Sequence, residues 1–193
     1  MSRYLARILR AIIVAVLGVG GGMGLLIFIT MIVLRSDQFS AIDVALQTAL
    51  VIGLSFGCVI ATILLLTDLT MRLFVAHGKH EEIWELNQTR VLELDGSLRE
   101  VRRLCREALL VVPNLKSISE IADSPDLTAS TGASWRSPGE LVQISIESNG
   151  DNKWKIRCNS HCTQKHIAFD YAKNYENVES FLRRMSTLNK DSN

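Results

Sequence analysis

Apolar positions in the first third of the chain form two unbroken runs: residues 11–34 hold 24 residues without a charge, and residues 44–66 hold 23. A helix rises about 1.5 Å per residue, so roughly 20 apolar residues cross a hydrocarbon core of about 30 Å, and each run can span one with some tilt. The pattern predicts a transmembrane hairpin over residues 1–76, with spans at about 11–34 and 44–66 and a short loop at 36–40. Arg3, Arg7 and Arg10 ahead of the first run also fit a secretory signal. The apolar part of such a signal is about 7–15 residues, whereas this run continues through Leu25, Phe28 and Val33 to Arg35, so the segment is expected to stay in the protein. Past Leu69, Arg72 interrupts Met71, Leu73, Phe74 and Val75, the pattern of a helix emerging into the interface with its arginine snorkelling. His77, Gly78 and Lys79 read as a break, and residues 77–88 as a linker with Trp84 as a docking aromatic.

Beyond the linker the apolar period shortens. Leu92 and Leu94 mark a strand over 90–95, stopped by Asp95 and Gly96. Ser97 followed by Glu100 is a capping box, and Leu98, Val101, Cys105, Ala108 and Val112 recur at helical spacing until Pro113 and Asn114. Four alternating stretches follow, at 116–122, 127–133, 141–148 and 153–160, separated by turns at 123–126, 137–139 and 149–152. In the last two, Val142, Ile144 and Ile146 face one way and Trp154, Ile156 and Cys158 likewise, with Asn149-Gly150 as the hairpin signal. Tyr175, Val178, Leu182 and Met185 form the stripe of a final helix over 174–185, capped by Asn174. The predicted fold is thus a two-helix transmembrane hairpin plus an α+β domain, β-α-β-β-β-β-α, its antiparallel sheet covered by two helices on one face. The domain is expected over 89–187, with 188–193 as a tail.

Charge adds orientation. Lys and Arg near span ends stay on the cytoplasmic side; Arg3, Arg7 and Arg10 precede the first span, only Arg35 lies between the spans, and Arg72 and Lys79 follow the second. Both termini are therefore expected in the cytoplasm, where reducing conditions leave Cys105, Cys158 and Cys162 as free thiols while Cys58 lies in the bilayer. Residues 77–193 carry 16 basic against 17 acidic side chains, without the basic excess of a nucleic-acid binder.

Candidate sites are few. Gly18 with Gly22, Gly20 with Gly24, and Gly53 with Gly57 are small-xxx-small pairs that let helix backbones approach closely, within one chain or between chains of an oligomer. Gln47, Ser55 and Thr62 are polar positions of the second run that could line a pore, although Ser and Thr can also bond their own helix backbone. Arg99, Arg102, Arg103 and Arg106 share one side of the first domain helix. They read either as a solvated face balanced by Glu100 and Glu107, or as a contact for anionic headgroups or an acidic partner. Cys158, His161, Cys162 and His166 are the one cluster of metal-ligand types, but their spacing matches no usual zinc pattern, and Cys158 and Cys162 share a strand face that His161 leaves. His161 or His166 with Asp170 is the conceivable acid–base pair. No nucleophile motif, P-loop or dinucleotide fingerprint is present, so neither metal nor cofactor is expected.

Ser134-Trp135-Arg136-Ser137-Pro138-Gly139-Glu140, Ser160 after the hairpin, and Asp170-Tyr171-Ala172-Lys173-Asn174-Tyr175-Glu176-Asn177-Val178 resemble a widespread bacterial domain of uncharacterised function. Its pattern is S-W-x-S-x-G-E followed by D-[WY]-G-K-N-x-x-N-V. The resemblance covers residues 89–187 and departs from the pattern at Ala172, where the pattern has glycine. It implies a fold and a bacterial origin, and no activity. The expectation from sequence is a non-enzymatic, two-pass inner-membrane protein whose cytoplasmic domain binds, as a subunit or accessory of a membrane assembly. Its expected partners are the lipid bilayer and either further copies or another membrane subunit. The alternatives are a homo-oligomeric pore with the domain as gate, and an enzyme or metal site built on Cys158–His166.

Overall fold

The computed structural model describes residues 2–34, 40–76, 83, 85–121, 124–164, 167 and 169–191. The expected inter-span loop at 36–39, the break at 77–80, Trp84, Asp123 and His166 lie outside the described residues. The chain divides into two compact units, Met1–Thr70 and Met71–Asn193.

In the first unit α1 (Ser2–Val14), a π-helical segment (Ala15–Gly20) and α2 (Gly21–Leu34) follow one another without interruption. The second helix, α3 (Ser40–Ala76), starts in this unit and ends in the other. Helix therefore begins at Ser2 rather than at the first apolar residues, with Arg7 and Arg10 inside it. Leu5–Leu34 and Ile42–Val75 are each long and apolar enough to cross a membrane. Only 17% and 22% of their most apolar windows are buried, unlike the core helix of a water-soluble protein.

The two helices meet backbone to backbone. A Cβ added at Gly53 would lie 2.6 Å from the Gly20 carbonyl oxygen and 3.0 Å from the Gly24 Cα; one at Gly57 would lie 2.8 Å from the Val16 Cα. Gly20 and Gly24 are equally tight against Gly53 and Ala49, whereas Cβ atoms at Gly18 and Gly22 would meet nothing within 4 Å. Helical geometry explains the division: positions two apart are turned by about 200°, so only one of the two interleaved pairs can face α3. The π segment ends at Gly20, and its extra residue per turn re-aims the side chains of α2.

The second unit holds β1 (Gln88–Asp95), α4 (Leu98–Leu109), β2 (Leu115–Glu120), β3 (Leu127–Thr131), β4 (Glu140–Ser148), β5 (Lys153–Cys162) and α5 (Lys173–Asp191), together with the end of α3. All neighbours in the sheet are antiparallel, in the order β1-β5-β4-β3-β2. α4 thus carries the chain from one edge of the sheet to the other, and a meander returns it. Ser97 caps α4, its Oγ accepting the Glu100 N–H at 3.3 Å. Ile144 lies opposite Cys158 and Ile146 opposite Ile156, the shared face expected from their alternation. Those residues, with Val101, Cys105 and Ala108 of α4 and Val178, Phe181 and Met185 of α5, form one buried core between sheet and helices. α5 runs on to Asp191 instead of stopping near Met185, because Leu188 still reaches that core.

Replacing Gly53 by Leu forces side-chain atoms into the Gly20 backbone and should destabilise the hairpin by about 1–3 kcal/mol or more. Gly22→Leu, on the open face, should leave it unchanged. Thermal unfolding of both variants in detergent, followed by helical circular dichroism, compares them directly.

Candidate functional site

Polar side chains are buried at the end of the sheet where β3 and β5 finish and β4 begins. Glu140 opens β4 with no exposed surface. Its carboxylate accepts the Thr131 hydroxyl at 2.5 Å, the Ser137 hydroxyl, and the Asn177 amide at 3.5 Å, while its backbone N–H donates to Thr131 Oγ1 at 2.8 Å. Asn177 also donates to Ser160 Oγ at 3.3 Å, and Ser160 donates to Asn174 Oδ1 at 2.7 Å. Asn174 in turn gives its side-chain and backbone N–H groups to Asp170 Oδ2, at 3.0 and 3.2 Å. Arg72 Nη2 closes the series on Asp170 Oδ1 at 2.9 Å, and Arg72 Nη1 donates to the Ile83 carbonyl. The snorkelling expected of Arg72 is not seen: its guanidinium is fully buried. A buried charge is costly unless paired and hydrogen-bonded, and Asp170 with Ile83 meets both conditions.

Asp170 is therefore committed to Arg72 and Asn174. His161 falls on the opposite sheet face from Ser160, its neighbour in this series, so the strand alternation separates His161 from Asp170. Cys158 is fully buried opposite Ile144, and burial pushes its thiol well above the ordinary value, as burial pushes Cys105 up to about 12. All four cysteines are free thiols, and among the described residues no three His, Cys, Asp or Glu side chains converge as a metal site would require.

Just outside the buried series, the loop before β4 is pinned. Ser134 N–H donates to the Ser137 carbonyl at 2.7 Å, and the Arg136 N–H donates to Ser134 Oγ at 3.3 Å. Gly139 stands at φ +121°, where a Cβ would also press on the Thr131 carbonyl. Arg136 reaches α5, its guanidinium 2.5 Å from Glu176 Oε2, which Lys173 Nζ also contacts at 3.0 Å. Trp135 points outward, 70% exposed, with its ring 5.7 Å from that of Tyr171. Tyr171 and Ala172 both take positive φ, +45° and +59°, the left-handed region that costs a non-glycine residue roughly 1 kcal/mol or more.

Beside the β2–β3 turn lies an open groove of about 1070 Å³. Arg99, Arg102, Arg103 and Arg106 of α4 form one wall, and Glu120, Ile121, Ser124 and Pro125 of the β2–β3 turn form the other. Spacings of three and four residues put the four guanidinium groups on one side of α4, the opposite side carrying Val101, Leu104, Cys105 and Ala108 into the core. Arg102 pairs with Glu120 at 2.8 Å and Arg103 with Glu107 at 2.7 Å; Arg99 and Arg106 have no ion-pair partner among the described residues. Of the two balancing carboxylates expected, Glu107 pairs with Arg103, while Arg102 takes Glu120 of β2.

Gln47, Ser55 and Thr62 lie exposed along one outward stripe of α3, away from the glycine contact. Thr62 Oγ1 bonds its own helix at the Cys58 carbonyl, 2.8 Å, as Thr67 does at Ile63.

Glu176 is the titratable group of this region with a resolved shift. Burial works to raise its carboxyl, but the hydrogen bond and charge of Lys173, then those of Arg136, outweigh burial and hold it below the ordinary range. Its contribution to stability is present above the ordinary carboxylate range and is lost as pH falls through the lowered folded-state value. Glu176→Gln should therefore cost about 1 kcal/mol near neutral pH. The gap to the parent protein should close in acid, as read from domain unfolding by tryptophan fluorescence between pH 7 and pH 3. Compared with protein-family models and with curated proteins, the chain matches none.

Proposed function

We propose that the chain is a two-pass protein of the bacterial inner membrane, both termini cytoplasmic, that presents its α+β domain as a non-enzymatic binding module within a membrane assembly. The bacterial setting rests on the resemblance of the Ser134–Glu140 and Asp170–Val178 segments, and the orientation on the excess of arginine flanking the apolar runs outside their connecting loop. The observation that carries the binding role is the arginine-walled groove. Four guanidinium groups on one wall, two of them without an ion-pair partner among the described residues, suit a ligand with several carboxylates.

We take that ligand to be an acidic protein segment, whose carboxylates the guanidinium groups can meet in paired hydrogen bonds. In nanodiscs, the full chain should bind poly-glutamate in a salt-sensitive manner. Replacing Arg99, Arg102, Arg103 and Arg106 together by Gln should weaken that binding about tenfold or more, equivalent to about 1.4 kcal/mol. Unchanged binding by the variant would remove this reading.

One observation favours a second reading, a homo-oligomeric pore: Gln47, Ser55 and Thr62 share an outward stripe, and Gln47 makes no hydrogen bond among the described residues. Ion flux from reconstituted vesicles, abolished by Gln47→Leu, is the result that reading requires.

A further inference from the structure

We infer that Trp135, Phe169 and Tyr171 form a foot that seats the domain in the headgroup layer of the membrane. The inference rests on the reading of residues 1–76 as a membrane hairpin and adds a second, separate point of contact with lipid.

Three observations within the second unit lead to it. The rings form a continuous group, Trp135 to Tyr171 at 5.7 Å and Phe169 to Tyr171 at 6.0 Å, with Trp135 70% exposed. The loop that carries Trp135 is pinned on both sides of it: Ser134 closes the turn, Ser137 bonds Glu140, and Arg136 is tied to Glu176. A turn so fixed holds its one large apolar side chain in water, and Tyr171 is held beside it by two consecutive residues in the left-handed region. Such an arrangement is kept where the exposed group has an apolar or half-apolar surface to meet.

Chain reach identifies that surface. Asp170, between Phe169 and Tyr171, is 2.9 Å from the guanidinium of Arg72. Arg72 stands six residues after Leu66, the last residue of the second apolar run. Those six residues are helical in α3 and cover about 9 Å, and the polar layer of a bilayer is about 5–8 Å thick on each side. The aromatic group is therefore held by a short leash to the level where the run leaves hydrocarbon. Tryptophan and tyrosine favour that level, with the ring in the acyl boundary and the polar edge in water.

Trp135 fluorescence in the full chain tests this, with the protein reconstituted into phosphatidylcholine–phosphatidylglycerol vesicles carrying nitroxide labels at the headgroup, shallow acyl or deep acyl position. Subtracting the emission of Trp135→Phe isolates Trp135 from Trp84 and Trp154; at 70% exposure the substitution leaves the core untouched. Labelling of Cys58, which lies in the second run and is exposed on its helix, by a membrane-impermeant maleimide reports on the hairpin separately. Support consists of a protected Cys58 together with Trp135 emission reduced about twofold or more by headgroup and shallow labels and less by deep ones. A protected Cys58 with Trp135 emission unaffected by any label overturns the foot and leaves the hairpin standing. A reactive Cys58 overturns the hairpin reading and the foot with it.

Discussion

A guanidinium with no exposed surface must have its charge answered, and in this chain Asp170 answers Arg72. Removing either partner would strand the other as an uncompensated buried charge, a loss of several kcal/mol by general precedent. The pair also fixes what lies around it. Asp170 has its second oxygen on Asn174, so the first turn of α5 is anchored, and Asn174 leads through Ser160 and Asn177 to Glu140 at the start of β4. The loop bearing Trp135, the left-handed pair at Tyr171 and Ala172, and the entry of α5 are all parts of one polar assembly. Hydroxyls and amides carry most of it, so its geometry is directional in a way that an apolar core of the same volume is not.

The hairpin rests on a different constraint, closeness of approach. Around Gly20, Gly24, Gly53 and Gly57 there is no room for a single methyl group, and the two backbones gain dispersion from their close approach. The outward stripe of α3 behaves otherwise. Thr62 returns its hydroxyl to its own helix, leaving Gln47 as the strongly polar group of that stripe among the described residues.

What could be read from the sequence was local. Ser97 and Glu100 are three residues apart and announced the start of α4; the alternation of Val142 to Ile146 and of Trp154 to Cys158 announced a shared face, and both features are present. Two small-xxx-small pairs were legible in the first run, but which of them meets α3 depends on rotation about the helix axis, and the π segment that sets that rotation has no sequence mark. Arg72 was misread for a related reason: as a residue at a span end it has every appearance of a snorkelling side chain, and its partner lies 98 positions away. The groove on α4 was half legible. Four arginines on one side of a helix can be counted, while the opposing wall comes from a β2–β3 turn that only the folded sheet brings there.

The sheet order has a consequence for how the molecule is made. Among the described residues β1 is an edge strand paired with β5, Asp95 with Lys153 and Gln88 with Ser160, so the first strand stays unmatched until about 60–70 further residues have left the ribosome. Both apolar runs precede all of them. During synthesis the two apolar helices are complete first, and the domain assembles afterwards.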